Sequence, residues 1–264
     1  ISIAVTPELK KRENSSLLFI DLAKGQNRMG GSILAQINNE FGGESPDVEC
    51  KIEMPVFVES IHKLLSQRKI LAYHDRSDGG LITTLAEMSF AGRSGLKINL
   101  DSALNDHEEL MKFLLNEELG VVIQVLDENL EYVIKELNGT GLEKYIHNIG
   151  SLSGSKDIAI NFQNKKLLSL PVKDLIENWY KVSYEIQLLR DNPKTATAEF
   201  INDTEIDNPA LNPTINFSIP ERINLNSSRP RIAILREQGV NGQNEMAAAF
   251  NEAGFDCIDV HMTD

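Results

Sequence analysis

The sequence predicts an α/β chain: an α+β domain built on a mixed sheet, then a connector, then the first β-α-β of a second α/β domain. Three observations lead there. Short apolar runs alternate with amphipathic segments through residue 170, which is the pattern of a layered sheet-and-helix domain. From Asn192 to Arg229 periodic apolar residues thin out and Asn, Pro, Asp, Ser and Thr take over, as expected of a linker or a wrapping segment. Then RPRIAILREQGVNGQNEMAAAFNEAGFDCIDVHMTD restarts as strand, Gly-containing loop, helix, Gly cap and strand.

Taken in order, SLLFIDLA (Ser16 to Ala23) reads as a buried strand, and KGQNRMGGS as a Gly-rich loop opening a helix through SILAQINNEF. Val56, Ile61, Leu64 and Leu65 recur at helical spacing in a segment that ends near Arg68 and leads into the strand ILAYH. LITTLAEMSFAG reads as a helix closed by Gly92, and LKINL as a short strand. HEELMKFLLNEELG, VVIQVL, NLEYVIKEL and YIHNIG follow as helix, strand, helix and strand. DIAINFQNKKLLSL is a hairpin turning at Gln163 to Lys165, and with the uneven strand spacing it predicts a mixed sheet. From Pro171 the segment VKDLIENWYKVSYEIQLLRD reads as one long helix carrying Trp179 on its apolar face. The expected division is therefore 1–170 for the first domain, 171–228 for a helical and extended connector and 229–264 for the start of the second.

Composition narrows the function. A net charge of -13 and a pI near 4.9 argue against a nucleic-acid partner, because a sequence-independent grip on phosphates needs clustered Lys and Arg. Only Cys50 and Cys257 are present, with no CxxC spacing, so neither a disulfide framework nor a structural zinc is expected and the compartment reads as reducing and cytoplasmic. No apolar run approaches the roughly 20 residues that cross a bilayer, so no membrane partner is expected. The chain starts without Met and stops just after a predicted strand, which reads as a piece of a longer polypeptide.

HDRSDGGL (His74 to Leu81) carries the most chemistry. Two carboxylates three residues apart, placed between a strand end and a helix start, can hold Mg²⁺, while Ser77 and free helical amides take phosphate oxygens. Equally, Ser77 or Asp78 can simply cap the helix, with Gly79 and Gly80 relieving the turn. An HD pair also fits metal phosphohydrolases, which require further ligands; His62, His107 and His147 are the candidates. KGQNRMGGS lacks the GK[ST] ending of a phosphate-binding Walker loop and reads as a cradle or as a plain loop with a Ser cap. REQGVNGQNE (Arg236 to Glu245) reads as a tight βα connection or a ligand-facing loop. The acidic run at 106 to 118 reads as a solvated helix face, Met29, Met88 and Met111 as packing, and His261 as a strand end.

Together, DLAKGQNRMGGSILAQ, LAYHDRSDGGLITTLAEMSFAGRSGL, FLLNEELGVVIQV, LLRDNP and the final RPRIAILREQGVNG…VHMTD stretch resemble the large single-chain form of the phosphoribosylformylglycinamidine synthase family, in order and over essentially the whole chain. The resemblance implies a first domain like the C-terminal domain of aminoimidazole ribonucleotide synthetase and a truncated glutaminase domain after it. It implies a part in the ATP- and glutamine-dependent ligation that turns formylglycinamide ribonucleotide into formylglycinamidine ribonucleotide in purine synthesis. It also implies Mg²⁺ and ATP or ADP as cofactors, Asp75 as a Mg²⁺ ligand and Ser77 as a nucleotide contact. The nucleotide site would be the second one of the family, held structurally, and the remaining domains of the same polypeptide would be partners. Tyr73 stands where the family commonly has Trp. Catalytic residues are expected outside this chain: Cys257 lies in a predicted strand without the Gly-flanked turn a nucleophilic Cys needs.

Overall fold

The structure is a computed structural model that describes residues 3–104, 106, 109–208, 213–218 and 228–263. It divides into two compact units, Ile1–Pro209 and Ala210–Asp264.

In β1 (Ser15–Asp21) six of seven residues are buried, and alternate side chains leave opposite faces of the strand. Leu17 and Phe19 enter one core while Leu18 and Ile20 enter another. A strand covered on both faces has no solvent side, which is why SLLFID is continuously apolar. Its neighbours are β4 (Gly120–Leu126) and β5 (Ile146–Ser153), both antiparallel to it. The full sheet runs β2-β4-β1-β5-β3-β6-β7, with β2 (Ala72–Asp75), β3 (Gly95–Asn99), β6 (Asp157–Phe162) and β7 (Lys165–Pro171) completing it. Among these pairs β3 and β6 are parallel and the others antiparallel, so the sheet is mixed as expected. The β6–β7 hairpin turns through Gln163 and Asn164, with φ of 49° and 60°.

Helices cover both faces. On one side α3 (Gly80–Gly92), α4 (Leu110–Leu115) and α6 (Val172–Arg190) contribute Leu81, Leu85, Phe113 and Ile176 to the core shared with Phe19. On the other, α2 (Met54–Ser66) and α5 (Asp127–Asn138) bring Phe57, Leu64, Val133 and Leu137 against Leu18 and Ile20. Leu85 is fully buried between α3 and the sheet. Truncation to Ala removes transfer energy and leaves a cavity, so Leu85→Ala is expected to lower unfolding stability by about 2–5 kcal/mol, read from the urea midpoint at unchanged slope.

Three helices differ from the sequence expectation, each for a local reason. The helix expected over SILAQINNEF is only α1 (Ile33–Ile37), because Asn38 bonds back to the Leu34 carbonyl at 2.8 Å and Asn39 turns to a φ of 55°. HEELMKFLLNEELG yields only α4: the Asn116 side chain bonds the Lys112 and Phe113 carbonyls at 2.8 and 3.2 Å, and its backbone leaves the helix as extended chain. In the polar stretch read as linker lies α7 (Pro193–Thr204), started by Asn192, whose Oδ1 accepts from the Lys194 and Thr195 amides. Pro193 follows at the first helical position. Tyr184 of α6 stacks on Phe200 of α7 at 4.4 Å, so this pair and the cap supply what apolar periodicity does not. Trp179 is 54% exposed and leans on Phe90 at 5.3 Å, and Met111 is exposed, so neither is a core residue.

The second unit holds β8 (Arg231–Arg236), α8 (Gln243–Glu252) and β9 (Asp256–His261), with the two strands parallel. This is the β-α-β the sequence predicts. Among the described residues no helix is long and apolar enough to cross a membrane.

Candidate functional site

The HDRSDGGL stretch leaves the sheet where three strand ends meet. Asp75, the last residue of β2, pairs with Val121 at the start of β4, and Gly120 beside it pairs with Asp21 at the end of β1. The Arg76 amide continues the ladder to the Gly120 carbonyl at 2.7 Å. Ser77 and Asp78 then turn outward, exposed, and Gly79 and Gly80 carry φ of 80° and 75° into α3. Capping by Ser77 or Asp78 is one of the two readings the sequence leaves open, and the geometry decides against it. The residue at the cap is Gly79, with no side-chain cap bond of its own. Its amide donates instead to Glu117 Oε1 at 2.8 Å, and the same oxygen accepts from the Ile33 amide at 2.8 Å.

Between the two exposed residues and the sheet, Arg76 points inward and is fully buried. Its Nη2 donates to Asp21 Oδ1 and to the Leu119 carbonyl, both at 2.9 Å, and its Nε to the Glu118 carbonyl at 2.6 Å. The guanidinium lies over the Phe19 ring, 5.0 Å from its centroid. Burial pulls its pKa down and the Asp21 charge opposes that. Asp21 also accepts from the Ala23 and Gly25 amides at 3.2 and 2.8 Å, which fixes the start of the Gly-rich loop. In that loop Arg28 donates to both oxygens of Glu118, Nε to Oε1 at 2.5 Å and Nη2 to Oε2 at 2.9 Å, with Glu118 itself fully buried.

The 116–119 loop is thus the junction of both glycine-bearing motifs. Sequence reading placed Glu117 and Glu118 on a solvated helix face; instead the helix stops at Leu115, Asn116 and Glu118 are fully buried, and Glu117 holds two amides. Asp21, Arg28, Arg76, Glu117 and Glu118 are the residues sequence reasoning missed. The signal was present in the paired charges of DRSD and NEEL, which only a fold can match to partners.

Asp75 and Ser77 sit on the exposed side of this junction. Burial, and then the nearby Asp75 charge, push the Tyr73 hydroxyl above its ordinary range. His74 Nε2 lies 2.6 Å from Glu87 and is occupied by it. Among the described residues no three His, Cys, Asp or Glu side chains are grouped to hold a metal. His62 lies on α2 and His147 on β5, where its Nδ1 meets the Ser102 carbonyl at 2.8 Å, while His107 falls outside the described residues. The phosphohydrolase reading, which requires a grouped set, has no geometric support among the described residues. Mg²⁺ at a phosphate is different: it takes one or two carboxylates and completes its shell with phosphate oxygens and water. Asp75, exposed at the end of β2, is a carboxylate of the kind such a site takes.

In the 24–32 loop Lys24 pairs with Glu53 at 2.5 Å and Ser32 caps α1, accepting from the Ala35 amide at 3.2 Å. A cavity of about 640 Å³ opens beside it, lined by residues 25–30 and 40–44 among others. In the second unit, the stretch from Arg236 to Glu245 spans the end of β8, a loop that ends at Gly242 and the first residues of α8. Cys257 is half-buried in β9 with its thiol on the Ala247 carbonyl at 3.2 Å, the setting of a packed residue.

Residues 20–162 match the family of AIR synthase related proteins, C-terminal domain, and residues 229–264 match the CobB/CobQ-like glutamine amidotransferase domain. Solved structures from Thermotoga maritima share the fold. PurL complexed with ATP aligns with a TM-score of 0.53 at 14% identity, over 66% of this chain and 27% of that one. PurLQS aligns with a TM-score of 0.52 at 13% identity, over 73% of this chain and 28% of that one. PurL complexed with FGAR gives 0.50 at 13% identity, over 66% of this chain and 29% of that one. The chain spans less than a third of the length of these structures.

Proposed function

The chain belongs to the AIR synthase related protein family through that family's C-terminal domain, and from this premise we propose that it is part of an ATP- and glutamine-dependent ligase making formylglycinamidine ribonucleotide from formylglycinamide ribonucleotide. One observation carries the reading: a synthetase-type domain and the start of a glutamine amidotransferase domain occur in one chain, in that order. A ligase that takes its nitrogen from glutamine needs both, one to activate the acceptor with ATP and one to release ammonia. The ATP and FGAR bound in the Thermotoga maritima structures support the substrate class.

In this reading the first domain covers 1–170, the connector 171–228 and the glutaminase start 229–264. Asp75 is a Mg²⁺ ligand and Ser77 a nucleotide contact, both presented outward by a turn whose neighbouring Arg76 is locked inward. Mg²⁺, when bound, neutralises phosphate charge there. Asp75 supplies a carboxylate and Ser77 a hydroxyl to the nucleotide end. The chain contributes scaffold and part of a nucleotide site, and by itself does not turn over. The isolated pieces of the active site, including the glutaminase nucleophile, belong to other segments of a cytoplasmic, longer polypeptide.

The runner-up is a purely structural role, in which the site holds ADP and Mg²⁺ and only couples the synthetase to the glutaminase. Full-length enzyme carrying Asp75→Ala separates the two. Turnover reduced at least tenfold with folding intact supports a catalytic site. Unchanged turnover, with ADP retained by the parent enzyme and not exchanging against added ATP, supports the structural role. A parent enzyme with no glutamine-dependent ligation would sink both.

A further inference from the structure

A second cavity, of about 530 Å³, opens at the other end of the sheet. It lies where the chain enters β1, where β3 begins at Gly95 and where β5 ends at Ser153, two residues paired with each other. Asp75 and Ser77 are at the opposite end, beside Asp21 and Gly120. The seven residues of β1 separate the two ends by roughly 20 Å at about 3.4 Å per residue, so one ligand cannot occupy both.

Its lining runs against the charge of the chain. Lys11, Arg12, Arg93 and Lys156 face Glu13 and Asp207, four cations against two carboxylates, in a protein of net charge -13. The cations are not equally engaged. Arg93 donates to the Asp203 and Glu205 carbonyls at 2.8 and 3.0 Å, closing the end of α7, and Lys156 pairs with Asp207. Lys11 and Arg12, both exposed, have no ion pair among the described residues, whereas Lys10 beside them is paired with Glu8 at 2.6 Å. The 153–155 turn adds the hydroxyls of Ser153 and Ser155, 3.0 Å apart, which can turn their protons to a bound oxygen. Two cations without an ion pair among the described residues, further positive charge and hydroxyl donors around a concave volume of small-molecule size suit a compact anion.

We propose that this cavity binds a small phosphate monoester, with Lys11 and Arg12 gripping the phosphate and the serine turn completing its hydrogen bonds. The site is independent of the nucleotide reading of Asp75 and Ser77 and needs no metal. The 264-residue chain titrated calorimetrically with glucose 6-phosphate, in the absence of magnesium, tests it. Saturable binding is expected, with no binding of glucose and with affinity falling as salt rises. The Lys11→Ala/Arg12→Ala double variant should bind at least tenfold more weakly. Both side chains are exposed, so the variant keeps the fold, checked by an unchanged urea midpoint. Ser77→Ala should bind as the parent does. Absence of saturable binding, equal affinity for glucose, equal affinity in the double variant, or loss of binding in Ser77→Ala each overturns the proposal.

Discussion

Arg76→Met is expected to remove about 3–5 kcal/mol of unfolding stability, the range for breaking a buried ion pair from one side. The guanidinium is fully buried and its three described bonds run to Asp21, the Glu118 carbonyl and the Leu119 carbonyl. Removing it strands the Asp21 charge at 5% side-chain exposure and leaves two carbonyls without their donor. Asp21 keeps the Ala23 and Gly25 amides, which places the effect toward the lower half of that range. Arg76→Lys should recover little, because a single ammonium cannot reproduce a planar fork that reaches three acceptors. The decisive comparison is a double variant, Asp21→Leu with Arg76→Met. If stranded charge dominates, the double variant is more stable than Arg76→Met alone; if lost packing over Phe19 dominates, it is less stable. Urea unfolding of the three variants at neutral pH reads both outcomes.

The same junction shows what a sequence can and cannot disclose. Continuous apolar runs such as SLLFID and VVIQVL mark strands buried on both faces, and β1 and β4 are found there. Spacing finds α2, α3, α5 and α6 for the same reason: each buries one side against the sheet. What spacing misses is set by single side chains bonding to backbone. Asn116 ends α4, Asn38 ends α1 and Asn192 starts α7, and none of these alters a hydrophobic period. HDRSDGGL was visible as a cluster of charges before a helix, but its division into an inward Arg76 and outward Asp75, Ser77 and Asp78 was not. That division depends on Asp21 and on the 118–119 carbonyls, tens of residues away in sequence. Local pattern carries no trace of such partners.

Gly80→Ala should be the more damaging of the two glycine substitutions in the motif, by more than about 3 kcal/mol of stability, through the combination of backbone strain and a clash. Gly79 and Gly80 both have positive φ, 80° and 75°, so each substitution carries a left-handed penalty of about 1 kcal/mol or more. Their surroundings differ. A Cβ on Gly79 meets the side chain of Thr83, which can rotate away, whereas a Cβ on Gly80 meets the Leu114 and Asn116 carbonyl oxygens at 2.6 and 2.7 Å. Backbone cannot rotate away, so either α3 or the 114–116 segment must shift. That segment leads directly into Glu117 and Glu118, the residues that hold the Gly79 amide and the Arg28 side chain. The strain therefore propagates into the turn that presents Asp75 and Ser77, and if the proposed nucleotide site is there, nucleotide affinity should fall together with stability in Gly80→Ala. In Gly79→Ala a smaller loss of stability, about 1–2 kcal/mol, is expected. Urea midpoints for the pair, measured alongside Gly31→Ala in the same compact unit, settle the cause: Gly31 has a φ of 77° and open space where its Cβ would go, so it reports strain alone. If Gly80→Ala costs no more than Gly31→Ala, the close approach of α3 to the 114–116 backbone is not what fixes glycine at this position.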